Sequence, residues 1–146
     1  MTRDIDLVVE ITRTDVDRIV SLFSSDCYID KDSVRCAVNE QGMFNIIHND
    51  WVIKADFIIR KNAEYRVEEF ARRKQIDIEA VPVSVVTAED LILSKLVWGK
   101  ESQSEFQLRD VRQMIATVTK LDWNYMKKWA FTLGIDDLLE KVKSNA

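Results

Sequence analysis

Turn-forming residues are scarce in this sequence, with three glycines and one proline in 146 residues. That scarcity excludes collagen-like, linker-rich and loop-heavy designs, and it predicts a chain that is mostly helix with a few strands. Histidine and cysteine are nearly as rare, at one and two. Cys27 and Cys36 could pair by parity, but in a chain without a leader they read as free thiols. Their C-x8-C spacing matches no zinc motif, and His48 lies well downstream of both. One histidine leaves no Ser-His-Asp or Cys-His arrangement, so His48 reads as a turn or surface residue. Gly42, Gly99 and Gly134 are too scattered to build a P-loop or a dinucleotide fingerprint. No stretch approaches the roughly 20 consecutive apolar residues of a membrane span. The start, MTRDIDLVVE, carries two carboxylates before position 7. It reads as no signal peptide, and the expected location is cytoplasmic. A net charge of −4 does not advertise nucleic-acid binding.

What is present is a core. Hydrophobic residues make up 47 % of the chain and charged residues 32 %, which excludes disorder over most of the length. The length suits one domain, residues 1–146. Ile5–Ile11 is β-branched and strand-like, and Thr14 with Asp17 predicts a capped helix after it. Lys31–Glu40 reads as a weaker helix. Met43–His48 and Trp51–Arg60 read as strands joined by a tight Asn49-Asp50 turn. Ala63–Lys74 is a basic helix, with six basic and three acidic residues from Arg60 to Lys74. Ile76–Glu79 and Val81–Val86 read as extended, with Pro82 marking an edge or a strand start. From Thr87 onward the pattern is helical. Thr87 and Asp90 form a capping box for a helix ending at Gly99. Glu105–Thr119 follows with Phe106, Val111, Met114, Ile115 and Val118 inward. Asp122 caps a third helix that ends at Gly134, and Asp136 caps a last short one. Trp98, Trp123 and Trp129 read as core or interface. The predicted class is α+β: a small mixed sheet with flanking helices in residues 1–86, and a helical part, 87–146, packed on it.

Asp4 and Asp6 alternate onto one face of the first strand. Two carboxylates there repel unless a positive charge sits between them. A hard divalent cation such as Mg²⁺ is the natural partner. In the strand Trp51–Arg60, the odd positions form an apolar face, and Lys54 and Asp56 share the other with Val52 and Ile58. Asp56 is thus a carboxylate in a core-like strand. Were that strand beside the first, Asp4, Asp6 and Asp56 would converge. Such a triad suits phosphoryl or nucleotidyl transfer, with Mg²⁺ neutralising a nucleoside triphosphate and Asp56 near an acceptor hydroxyl. Against this stand two plainer readings, a solvated strand end for Asp4 and Asp6 and an edge-strand charge for Asp56. Lys95 lies on the face of Leu91, Ile92 and Leu96, and Asp110 between Phe106 and Met114. Both are charges on inward faces, which makes their pairing plausible.

Thr2 to Glu10, T-R-D-I-D-L-V-V-E, resembles the T-x-D-x-D-hydrophobic motif of the nucleotidyltransferase (polymerase-β-like) superfamily. The likeness is to its small prokaryotic branch of minimal nucleotidyltransferases and AbiEii-type toxins. V-I-K-A-D-F-I-I, Val52 to Ile59, resembles that family's third-carboxylate strand. E-D-L-I-L-S-K-L, Glu89 to Leu96, with R-D-V, Arg109 to Val111, resembles the branch's C-terminal signature. The resemblance implies Asp4, Asp6 and Asp56 as metal ligands and catalytic carboxylates. It implies Thr2 and Lys95 on the nucleotide side, with Asp110 positioning Lys95. The family also places a helix and a Gly-Gly or Gly-Ser turn before D-x-D, and residues 1–146 contain no such pair there. The expectation is therefore an earlier start or impaired catalysis, and a bare sheet face that favours self-association. The acceptor would be a hydroxyl on protein, RNA or a small molecule. The rival expectation is a non-catalytic member of the fold that binds a protein, as in a toxin–antitoxin pair. A weaker one is a nucleic-acid module using Arg60–Lys74.

Overall fold

The structure is a computed structural model that describes residues 4–51, 53–102 and 104–144, with Asp4 described by its backbone alone. It is α+β: a four-stranded mixed sheet with its helices, a two-stranded ribbon, and four C-terminal helices. Two compact units divide the chain, Met1–Phe70 and Ala71–Ala146. The ribbon at residues 74–85 therefore groups with the helices, whereas the sequence pattern sets the boundary at 86.

In the first unit, β1 spans Asp4–Val9, and α1 spans Val16–Phe23 after a 3-10 turn at Arg13–Asp15. The cap differs from expectation. Thr12, not Thr14, closes the capping box: its amide donates to Asp15 Oδ2 at 2.9 Å and its hydroxyl at 2.6 Å. These two bonds, the hydroxyl's first, hold the Asp15 carboxyl below its ordinary value. β2 is Cys27–Tyr28, and α2 is Lys31–Glu40, as read from the sequence. Asp30 caps α2 by accepting from the Asp32 amide and the Ser33 hydroxyl, each at 3.0 Å. β3 is Met43–His48, β4 is Lys54–Ile59 and α3 is Glu64–Ala71. The β3–β4 connection is a five-residue loop, 49–53, rather than a two-residue turn. Neither Asn49 nor Asp50 takes the positive φ that the favoured tight turns need. His48 organises the loop instead. Its Nδ1 accepts from the amides of Asp50 (3.2 Å) and Trp51 (3.4 Å), and its ring stacks on Trp51 at 4.4 Å.

The sheet order is β1-β4-β3-β2, with β1 parallel to β4 and β3 antiparallel to both β4 and β2. Its core face carries Phe44, Ile46, Phe57 and Ile59, which pack with Val16 of α1 and Val34 and Ala37 of α2. Phe57 stacks on Phe44 at 5.0 Å and meets Phe23 edge-on at 5.7 Å. Ile5 and Leu7 lie on that same side, in register with Ala55 and Phe57, yet they are 51 % and 37 % exposed. The covered face is therefore bare at its β1 edge.

In the second unit, β5 (Lys74–Ile78) and β6 (Val81–Val85) form an antiparallel ribbon. Its two-residue turn, Glu79-Ala80, has φ of 50° and 66°. Because β5 begins at Lys74, the preceding helix stops at Ala71. The helices are α4 (Ala88–Ser102), α5 (Glu105–Thr117), α6 (Trp123–Leu133) and α7 (Asp136–Ser144). Gly99 does not end α4. It is buried inside the helix, where a Cβ would lie 3.3 Å from Gln107 Cβ and 3.5 Å from Leu108 Cδ2. Glycine there lets α5 come close to α4. Phe106, expected inward, is 71 % exposed, and Leu108 and Val111 are the buried positions of α5. Of the three tryptophans on these helices, Trp129 is buried and Trp98 is exposed. Asp122 caps α6 by accepting from the Tyr125 amide at 3.0 Å, and Gly134 takes φ 65° at its end. α7 starts at Asp136 itself.

Asp90 is the centre of this unit. It is fully buried and has both oxygens filled. Oδ2 accepts from the Thr87 hydroxyl at 2.6 Å and Arg72 Nε at 3.2 Å, and Oδ1 accepts from the Tyr125 hydroxyl at 2.6 Å. The Arg72 guanidinium lies 3.7 Å over the Tyr125 ring. One carboxylate thus joins the start of the ribbon, the start of α4 and the first turn of α6.

Candidate functional site

Register builds the first cluster. β1 and β4 pair with Asp4 opposite Lys54 and Asp6 opposite Asp56. β3 continues the row, with Asn45 opposite Asp56. Cross-strand partners share a face, so Asp6, Asp56 and Asn45 line up on the face away from the Phe44–Phe57 core. The parallel pairing of two strands some 50 residues apart in sequence puts two carboxylates side by side. Local propensity gives the strands, and tertiary pairing gives the site.

Asp6 and Asn45 are exposed, whereas Asp56 is 9 % exposed. Lys54 Nζ sits 3.0 Å from Asp56 Oδ2. Asp56 Oδ1 is buried and has no hydrogen-bond partner. Leaving a buried acceptor unmade costs roughly 1–3 kcal/mol, and more for a charged group. A carboxylate held in this state fits an added cation. The donor set is oxygen only, which suits a hard divalent ion such as Mg²⁺. Among the described residues no group of three or more His, Cys, Asp or Glu stands together. Asp6 and Asp56 supply two carboxylates, and Asp4 enters by its register position alone. Thr2 lies outside the described residues.

The second cluster belongs to the second unit. Lys95 on α4 and Asp110 on α5 pair at 3.0 Å, Nζ to Oδ2. The Lys95 side chain is 20 % exposed and that of Asp110 47 %. Lys95 also donates to Gln107 Oε1 at 3.1 Å. Beside them opens a cleft of about 330 Å³, lined by Lys95, Asp110, Gln113, Met114 and Thr117. An ammonium fixed between a carboxylate and an amide oxygen, at the wall of a cleft, can meet an anionic ligand with its remaining donor capacity.

Two features escaped the sequence. Gln107, three residues before Asp110, had no pattern to mark it beyond lying on the same side of a helix. The Asp90 network read only as a capping box, because Arg72 and Tyr125 lie far from it in sequence. The arginines of Arg60–Lys74 are largely committed. Arg60 pairs with Glu10 at 2.6 Å, Arg66 with Glu69 at 2.7 Å and Arg72 with Asp90 at 3.2 Å. His48 serves its loop, in keeping with its reading as a turn residue. No helix of the described residues is long and apolar enough to cross a membrane. No protein-family model matches the chain, and no curated protein matches it.

Proposed function

We propose that the chain is a Mg²⁺-dependent nucleotidyltransferase that moves NMP from an NTP to a hydroxyl on protein, RNA or a small molecule. In that reaction an acceptor oxygen bonds to the α-phosphorus, the α–β phosphoanhydride bond breaks, and pyrophosphate leaves. The observation that carries the reading is the in-register pair Asp6–Asp56, with one buried oxygen of Asp56 unpartnered. Mg²⁺ held by these residues, with Asp4 added by the resemblance, supplies neutralisation of the phosphate charge. Asp56 would also stand close enough to help take the proton of the acceptor hydroxyl. Taken by itself, the second unit offers an anionic group the Lys95 ammonium, whose direction Asp110 and Gln107 fix. The proposed setting is cytoplasmic.

Calorimetric titration with Mg²⁺-ATP tests this. The wild type is expected to bind, and Asp6→Ala/Asp56→Ala is expected to lose binding. No binding by the wild type, or unchanged binding by the double variant, overturns the reading.

The second reading is a non-catalytic relative that binds a protein partner or a second copy, as in a toxin–antitoxin pair. The bare apolar edge of β1, with Ile5, Leu7 and Val8 exposed, favours it. Absence of Mg²⁺-ATP binding would leave this reading in place of the first.

A further inference from the structure

Lys54 is a cation paired with Asp56. Strand alternation puts it on the Asp56 face, two residues away. The register then makes it the fourth corner of a rectangle whose other corners are Asp4, Asp6 and Asp56. Three carboxylate positions thus surround one lysine position. Its ammonium is 3.0 Å from Asp56 Oδ2, while Oδ1 is buried and without a hydrogen bond. So Lys54 answers half of what a buried carboxylate needs.

The two partners are unequal in exposure. The Lys54 side chain is 37 % exposed and that of Asp56 12 %. Lysine carries a compact, strongly hydrated charge on a flexible stem. It can withdraw its head to water while its stem stays against the sheet. Asp56, fixed in a central strand, has no such freedom. An arginine here would hold both oxygens in a fork and would be hard to displace. A lysine ammonium against a carboxylate oxygen makes a contact that can be exchanged.

We propose that Lys54 is a resident counter-cation of the Asp56 site, holding Oδ2 until a divalent cation takes its place. The inference rests on the reading of Asp6 and Asp56 as cation ligands. Without the divalent ion, Lys54 limits carboxylate repulsion and the folded sheet tolerates its acidic face. With the ion present, two cations compete for one carboxylate, and the lysine swings to solvent. The chain is thereby kept from holding a divalent ion tightly on its own. A triphosphate that arrives with its own ion adds ligands to that ion and offsets the displaced lysine.

Mn²⁺ binding to the full chain at low ionic strength, followed by loss of the free-ion electron paramagnetic resonance signal, tests the proposal. Removing the ammonium that competes for Asp56 Oδ2 is expected to tighten binding about tenfold. Lys54→Met and Lys54→Gln are therefore expected to bind Mn²⁺ about tenfold more tightly than the wild type, and Asp56→Asn to lose binding. Without metal, both Lys54 variants are expected to melt below the wild type, and saturating Mn²⁺ to close that gap. Should Lys54→Met fail to fold, Lys54→Gln decides. Lys54 variants that bind as the wild type does, or more weakly, overturn the counter-cation role while wild-type binding and its loss in Asp56→Asn preserve the metal reading. Absence of Mn²⁺ binding in all four proteins overturns both.

Discussion

Asp56 and Asp90 are both buried aspartates, one in each unit, and they are finished differently. Asp90 has a hydroxyl, a guanidinium and a phenol on its two oxygens, and nothing is left to add. Asp56 has one ammonium on one oxygen and a bare second oxygen. A buried carboxylate that is fully hydrogen-bonded fixes structure, since each partner fixes an element. A buried carboxylate left half-satisfied holds unspent capacity for a ligand. Asp90 is thus a structural carboxylate, while Asp56 keeps an open oxygen, the one the proposed function draws on.

The largest effect that can break this comparison lies at Asp90. Asp90→Ala leaves Arg72 and the Tyr125 hydroxyl without their shared acceptor, and is expected to lower unfolding free energy by about 3–5 kcal/mol. Urea unfolding followed by tryptophan fluorescence measures it. A loss as small as that of a surface substitution would remove the structural role. Next comes Asp56→Asn, expected to change stability by less than about 1 kcal/mol, since Lys54 can be rehydrated and the orphaned oxygen loses its charge. The same urea experiment decides. A loss matching that of Asp90→Ala would erase the contrast.

The smallest effect concerns pH. Glu89 sits beside Asp90 at the start of α4. Burial works to raise its pKa, but hydrogen bonds from its own amide and that of Asp122, with the charge of Arg72, outweigh it. The carboxyl is held below its ordinary value of 4.5. A carboxyl depressed on folding stabilises the fold above its unfolded value, and that contribution fades as pH falls through the folded value. Stability is thus expected to drop on acidification below about pH 4.5 less steeply in Glu89→Gln than in the wild type. Thermal melts from pH 6 to pH 3 compare the two, and parallel curves would refute the assignment.

Elements were legible where periodicity and caps are local. Lys31–Glu40 and Met43–His48 match their predicted bounds, because Asp30 and the β-sheet alternation are written in neighbouring residues. The failures share a cause. Gly99 looked like a stop because glycine weakens an isolated helix, but contact with Gln107 and Leu108 requires the missing side chain. Phe106 looked inward by spacing, but the α4–α5 contact is made by Leu108 and Val111. Asn49-Asp50 looked like a tight turn, but the backbone of the His48 loop follows the imidazole.

The sequence by itself determined the α+β class, the strand carrying Asp4 and Asp6, the facing of Lys54 and Asp56, and the inward charge at Lys95. Those follow from side-chain period, which needs no partner. Tertiary structure alone decided that β1 lies parallel to β4 with Asp6 opposite Asp56, that Lys54 engages one oxygen and leaves the other bare, and that Asp90 is complete. Strand register and hydrogen-bond completion depend on residues distant in the chain, and neither leaves a local trace.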